Sequence, residues 1–241
     1  MKTFVTFVLD ETGSMSSIKD DTIGGFNTYI DGLKKSPDDI LFTLIKFDSN
    51  HTDKVHVGVP VKDVPHLTDR TYIPGASTPL IDASYKAIKA TEEKIKGLPE
   101  KVSVLIAIQT DGQENASVEY KQADLVALVK EKTAEGWTFV FLGAGIDSFA
   151  VARAMGIPVA GTMTYDRNKS GAAFSAATRS AVVYASSGVS LDAAFTSEER
   201  LSTGGHMPTD PQQAAQGTPV PQPATTSASK PKTKIVDDIK L

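Results

Sequence analysis

The sequence predicts an α/β fold: a doubly wound, mostly parallel central sheet with helices on both faces and one antiparallel edge strand. Three observations predict it. Short β-rich apolar runs alternate with amphipathic stretches of helical period over residues 4–186. The run at residues 102–108 is almost wholly aliphatic, as a strand buried on both faces requires. Loops rich in Asp, Ser, Thr and Gly follow the apolar runs, and sites in open sheets of this kind form at the carboxyl ends of strands.

The elements follow in order. Residues 4–9 form an apolar strand ending in Asp10, and residues 18–34 carry Ile18, Phe26, Ile30 and Leu33 at helical spacing after a Ser-rich start. Residues 40–47 read as a second strand. Residues 54–61 alternate through Val55, Val57, Val59 and Val61, the pattern of an antiparallel or edge strand. A helix over 79–98 places Leu80, Ala83, Ala87, Ile88 and Ile95 on one side. The aliphatic strand at 102–108 runs into Thr110-Asp111-Gly112. A helix over 120–135 (Leu125, Leu128, Val129) stops at Gly136, and a strand over 137–142 ends in Gly143-Ala144-Gly145. A short helix at 148–155, an edge strand at 158–164 and an Ala-rich helix at 170–186 complete a Rossmann-like order in which apolar strands are separated by covering helices.

Composition bounds the rest. The 241 residues fit one globular domain and a tail. Residues 1–201 form the domain. Residues 202–234 hold six of the 13 prolines and almost no large apolar side chain, so they predict a disordered linker. Aliphatic residues return in a short peptide at 235–241, Ile235-Val236-Asp237-Asp238-Ile239-Lys240-Leu241. Charge divides at the same boundary: the tail from Ser202 is net +1 and the domain net −5. The absence of cysteine excludes a disulfide scaffold, thiolate metal sites and a Cys nucleophile. A net charge of −4 without a basic run argues against nucleic acid as a partner. No stretch approaches the roughly 20 apolar residues of a membrane span, and the first apolar run is too short for a signal sequence. The expectation is a cytoplasmic protein with no membrane partner.

Three loops carry candidate chemistry. Asp10-Glu11-Thr12-Gly13-Ser14-Met15 follows the first strand, Pro74-Gly75-Ala76-Ser77-Thr78-Pro79 precedes a helix, and Thr110-Asp111-Gly112-Gln113-Glu114-Asn115 follows the central strand. Each supplies small oxygen donors and none supplies His or Cys. Carboxylates with hydroxyls suit a hard cation such as Mg2+, which takes oxygen ligands in octahedral geometry and keeps some waters.

These residues resemble the von Willebrand factor A domain and its metal-ion-dependent adhesion site. The family pattern is Asp-x-Ser-x-Ser after strand one, a Thr in a later loop, and Asp-Gly after the central strand. Here the first element reads Asp10-x-Thr12-x-Ser14, with one hydroxyl residue replacing another. The Thr corresponds to Thr78 and the second Asp to Asp111. The resemblance covers about residues 3–186 and extends to intracellular bacterial and phage members, including the tellurite-resistance-associated group. It implies that Asp10, Thr12, Ser14, Thr78 and Asp111 hold Mg2+, with Mn2+ or Ca2+ as alternatives. It further implies that the metal completes its shell with an acidic side chain of another protein, making the chain a metal-dependent adaptor or binding module and not an enzyme. The oligomeric state is not legible.

Plainer readings stand beside these. Asp10, Ser14 and Thr78 also suit helix capping. Glu11, Glu114 and Asn115 read as solvated loop residues, Asp147 as a helix N-cap, and His51 and His56 as surface residues of a hairpin. Gly143-x-Gly145 is a weak dinucleotide signal, with Ser148 where a third Gly is wanted. Two other functions compete. One is a haloacid-dehalogenase-like phosphatase with Asp10 as nucleophile, which wants a second Asp where Thr12 stands. The other is a scaffold whose C-terminal peptide docks on a partner as a helix or an added strand.

Overall fold

A computed structural model of the chain describes residues 2–190 and 194–205. Its strands are β1 (Lys2–Asp10), β2 (Asp39–Phe47), β3 (Thr52–Pro60), β4 (Ser103–Thr110), β5 (Thr138–Ala144) and β6 (Thr162–Tyr165). The helices are α1 (Lys19–Lys34), α2 (Leu80–Lys96), α3 (Gln122–Ala134), α4 (Ser148–Ala154), α5 (Ser170–Ser187) and α6 (Ser197–Ser202). One sheet runs β3-β2-β1-β4-β5-β6. All neighbours are parallel except β3, which pairs antiparallel with β2 at the edge. The expected fold class is the observed one. The chain winds outward from β1 in one direction through β2 and in the other through β4. The reversal therefore falls between β1 and β4, where the two carboxyl ends leave a crevice.

The period-2 alternation of β1 divides the core. Val5, Phe7 and Leu9 face one layer with Phe26, Tyr29, Ile30 and Leu33 of α1 and Ala173, Phe174, Ala177 and Ala181 of α5. Phe4 and Val8 face the other with Leu80, Ala83, Ala87 and Ile88 of α2, Leu125, Leu128 and Val129 of α3, and Ala152 of α4. Phe7 anchors the first layer, meeting Phe26 and Tyr29 edge-on at centroid distances of 5.5 and 5.1 Å. Burying such a ring contributes about 1.5–3 kcal/mol. The helices α1 and α5 pack closely because Gly25 has no side chain: a Cβ there would lie 2.3 Å from the Phe174 ring. The polar member of the second face, Thr6, is satisfied by Thr91 of α2 at 2.7 Å between hydroxyls.

The edges are handled differently. In β3 the register shifts between Phe42 and Leu44 and again before Ile45, and Val55 and Val57 remain exposed. The β6 edge is covered by α6, an element the sequence reading lacked. Its Arg200 is buried and donates to the carbonyls of Thr162 (2.7 Å), Val159 and Ala160 (both 3.0 Å). Burial pulls the guanidinium down to about 10, with the nearby Glu199 charge opposing the drop. Beyond α6, Thr203 is buried and its hydroxyl donates to Thr164 O at 3.2 Å, so packed structure extends through the first residues assigned to the linker. The rest of the linker and the peptide at 235–241 lie outside the described residues. No helix among the described residues is long and apolar enough to cross a membrane.

At the amino end of the sheet, where the helices finish, a buried ammonium is ringed by carboxylates, two of them exposed. Lys132 of α3 is 2% exposed and lies 2.7 Å from Glu92 of α2, 2.7 Å from Glu131 and 3.0 Å from Glu135. Its ammonium also stands 5.7 Å from the Trp137 ring centroid.

Candidate functional site

Register delivers the site. Leu9 pairs with Gln109, so Asp10 and Thr110 end adjacent strands side by side, and Asp111 follows at the same rim. All five residues expected to act together do converge. The Asp10 carboxylate accepts from Thr12 N (2.7 Å) and from Thr110 Oγ1 (2.5 Å). The Ser14 hydroxyl donates to Asp111 Oδ1 (2.5 Å) and lies 3.3 Å from Thr12 Oγ1, which accepts from Thr78 Oγ1 at 3.2 Å. Asp10, Thr12, Thr78 and Asp111 are buried, and Ser14 opens the cluster to solvent.

The loops are fixed to one another by backbone bonds. Gly13 N donates to Ala76 O (3.0 Å), Gly75 N to Glu11 O (2.9 Å) and Asn115 N to Thr78 O (3.1 Å). The Tyr72 hydroxyl, buried beneath, donates to Asp10 O at 2.6 Å. Burial, reinforced by the charges of Asp10 and Glu11, drives the Tyr72 phenol far above its ordinary range, so it remains a donor.

The capping reading does not hold for Ser14 or Thr78. Neither the turn at 13–18 nor α1 nor α2 has a side-chain N-cap bond, and both hydroxyls point into the cluster instead. Asp147 does cap, accepting from Ala150 N at 3.0 Å. Two residues read as solvated are structural. Glu11 is 2% exposed, takes both carboxylate contacts from Lys46 Nζ at 2.8 Å and accepts from Ile73 N at 2.6 Å. Glu114 accepts from the backbone of Ile81, Ala116 and Ser117, tying the β4 loop to the first turn of α2. His51 is half-buried, with Nδ1 2.8 Å from Asp48.

The sequence reading also missed Arg167, in the short 3-10 turn Arg167–Lys169 after β6. Its Nη2 donates to Asp111 Oδ2 at 3.1 Å and its Nη1 to Ser17 Oγ at 2.9 Å. The signal that could have found it is position: the loop after β6 is also a carboxyl-end loop.

The electrostatics are those of an incomplete charge set. Among the described residues no Lys, Arg or His pairs with Asp10. Burial pushes its carboxyl up to about 6, against the bonds from Thr110 and Thr12 that favour the charged form, and the Asp111 charge adds to the rise. Among the described residues no group of three or more His, Cys, Asp or Glu could hold a metal ion. This cluster instead combines two carboxylates with three hydroxyls, and an all-oxygen set of that kind fits a hard divalent cation. Beside it, a groove of about 300 Å³ is lined by Leu80, Ile81, Gln113, Glu114, Val151 and Met155 among others.

No protein-family model matches the sequence, and no curated protein matches it. Solved structures do. A von Willebrand factor type A protein from Catenulispora acidiphila aligns with a TM-score of 0.53 at 12% identity, over 76% of this chain and 43% of that one. Proximal thread matrix protein 1 of the mussel byssus gives 0.49 at 15% identity, over 75% and 46%. The manganese-loaded TRAP protein of Plasmodium vivax gives 0.48 at 14% identity, over 71% of each chain. The chain thus spans less than half the length of the first two. The likeness to the Catenulispora protein shows the fold: this chain has the von Willebrand A architecture.

Proposed function

We propose that the chain is a cytoplasmic, non-enzymatic binding module that holds Mg2+ at Asp10, Thr12, Ser14, Thr78 and Asp111 and captures an acidic side chain of a protein partner. Mn2+ or Ca2+ could replace Mg2+. One observation carries the reading: residues from two strand-end loops and from the loop before α2 converge as hard oxygen donors on one rim, around a buried carboxylate that no Lys, Arg or His among the described residues pairs with. When bound, the metal would supply an electrophilic position for a carboxylate ligand. The chain's own groups do the rest. Thr110 and the Thr12 amide orient Asp10, Ser14 orients Asp111, and the Glu11–Lys46 pair holds the first loop. The adjoining groove adds apolar surface beside the cluster.

Calorimetry tests this. Mg2+ should bind the wild-type chain, and Asp111→Ala should weaken it by about tenfold or more. Unchanged affinity would count against the assignment. Pull-downs with and without EDTA, on the full chain and on one lacking residues 230–241, divide the metal face from the C-terminal peptide as the binding element. A phosphatase would turn over a phosphate ester and lose that turnover in Asp10→Asn; Thr12, hydrogen-bonded within the cluster where a general acid is wanted, argues against it.

A further inference from the structure

We propose that Arg167 is the specificity residue of this site, the second anchor that makes it select a carboxylate over a neutral oxygen ligand. The proposal rests on the metal-centre reading above. Arg167 is built into place. Its side chain passes over Gly145, which adopts φ +67°, and a Cβ there would lie 3.2 Å from Arg167 Nε. Gly145 N donates to Tyr165 O (2.8 Å) and Asp166 N to Thr203 O (2.9 Å), so the loop carrying Arg167 is pinned on both sides. The guanidinium meets Asp111, whose side chain is fully buried, yet is itself 46% exposed.

Two consequences follow. The first concerns charge. Two carboxylates and a divalent cation sum to zero, and Arg167 turns the loaded site net positive on a domain whose overall charge is negative. An anionic ligand gains from that charge and an amide or hydroxyl does not. The second concerns geometry. A guanidinium carries five N–H donors in a planar fork. Among the described residues one Nη1 and one Nη2 contact are spent on Ser17 and Asp111, which leaves donors for an incoming carboxylate. A carboxylate has two oxygens and can address the metal position with one and this fork with the other. A lysine would keep the charge and lose the fork.

The test uses the full chain loaded with Mn2+, with water-proton relaxation reporting the metal and its ligands. Acetate and acetamide are the probes, on wild type, Arg167→Gln and Arg167→Lys. Wild type should prefer acetate. In Arg167→Gln, Mn2+ itself should bind as tightly or more tightly, because a neighbouring positive charge is gone, while acetate affinity falls about tenfold or more and the preference over acetamide disappears. Arg167→Lys should recover only part of the preference. Acetate affinity unchanged in Arg167→Gln, or Mn2+ binding lost with it, overturns the proposal while leaving the metal centre standing. Failure of wild type to bind Mn2+ overturns both.

Discussion

The two ends of the sheet bury charge in opposite ways. At the amino end, Lys132 sits among Glu92, Glu131 and Glu135. Its hydrogen bonds with Lys132 and Lys89 hold Glu92 down to about 2 although burial opposes them. Burial pulls the Lys132 ammonium downward, but the three carboxylates outweigh it and keep it charged. At the carboxyl end, Asp10 has only hydroxyl and amide donors among the described residues, and burial carries it up to about 6. Asp111 shares one half-exposed guanidinium. Ion pairing completes the first cluster from within the chain. The second is short of positive charge among the described residues, an arrangement that costs the fold stability.

The comparison would break most visibly at Lys132. Lys132→Met removes the cation that three carboxylates share, two of them exposed, and should destabilise the fold by about 2 kcal/mol, read from urea unfolding. The matching change at the other end should have the opposite sign. With chelator present, Asp10→Asn should stabilise the chain at pH 7.5 by about 2 kcal/mol, because it removes a buried charge that no Lys, Arg or His among the described residues pairs with. A loss of stability there would mean that the Asp10 charge is already compensated. Glu92→Gln comes next, with a cost of about 1–2 kcal/mol, since Lys132 keeps two other carboxylates.

pH sharpens the contrast. Glu92 binds protons less readily folded than unfolded, so its contribution is full above its ordinary value of 4.5 and is lost as pH falls through about 2. Asp10 behaves inversely. Its stability contribution is greatest in acid and declines as pH rises from 3.8 through about 6. Thermal melts of Asp10→Asn against wild type, without metal, should therefore diverge above pH 4 and plateau above pH 6.

Strand and helix positions were legible because their signals are local. The runs of β1, β4 and β5 are apolar on both faces, and α2 repeats its apolar residues at helical spacing. The five candidate ligands were legible because three short motifs stand in chain order, two just after strands and one just before a helix. What escaped was polar residues made structural by distant partners. Glu11 looks solvated until Lys46, 35 residues away, is brought against it through the pairing of β1 with β2. Helix α6 reads Ser-Glu-Glu-Arg-Leu-Ser, a surface sequence by composition, yet Arg200 is buried because three backbone carbonyls around β6 accept its protons. The valines of β3 show the reverse failure. Their alternation marks a strand, but the register shifts beside Leu44 leave Val55 and Val57 facing solvent.

The staple made by α6 also decides where the backbone departs. Gly205 is held by its amide on Arg200 O at 3.1 Å and packs against Thr164 O, near the carboxyl end of β6 and one loop from Arg167. Gly205, the last described residue, is thus fixed at the same rim as the candidate ligands. Truncation at residue 201 would discard the anchor point along with the tail.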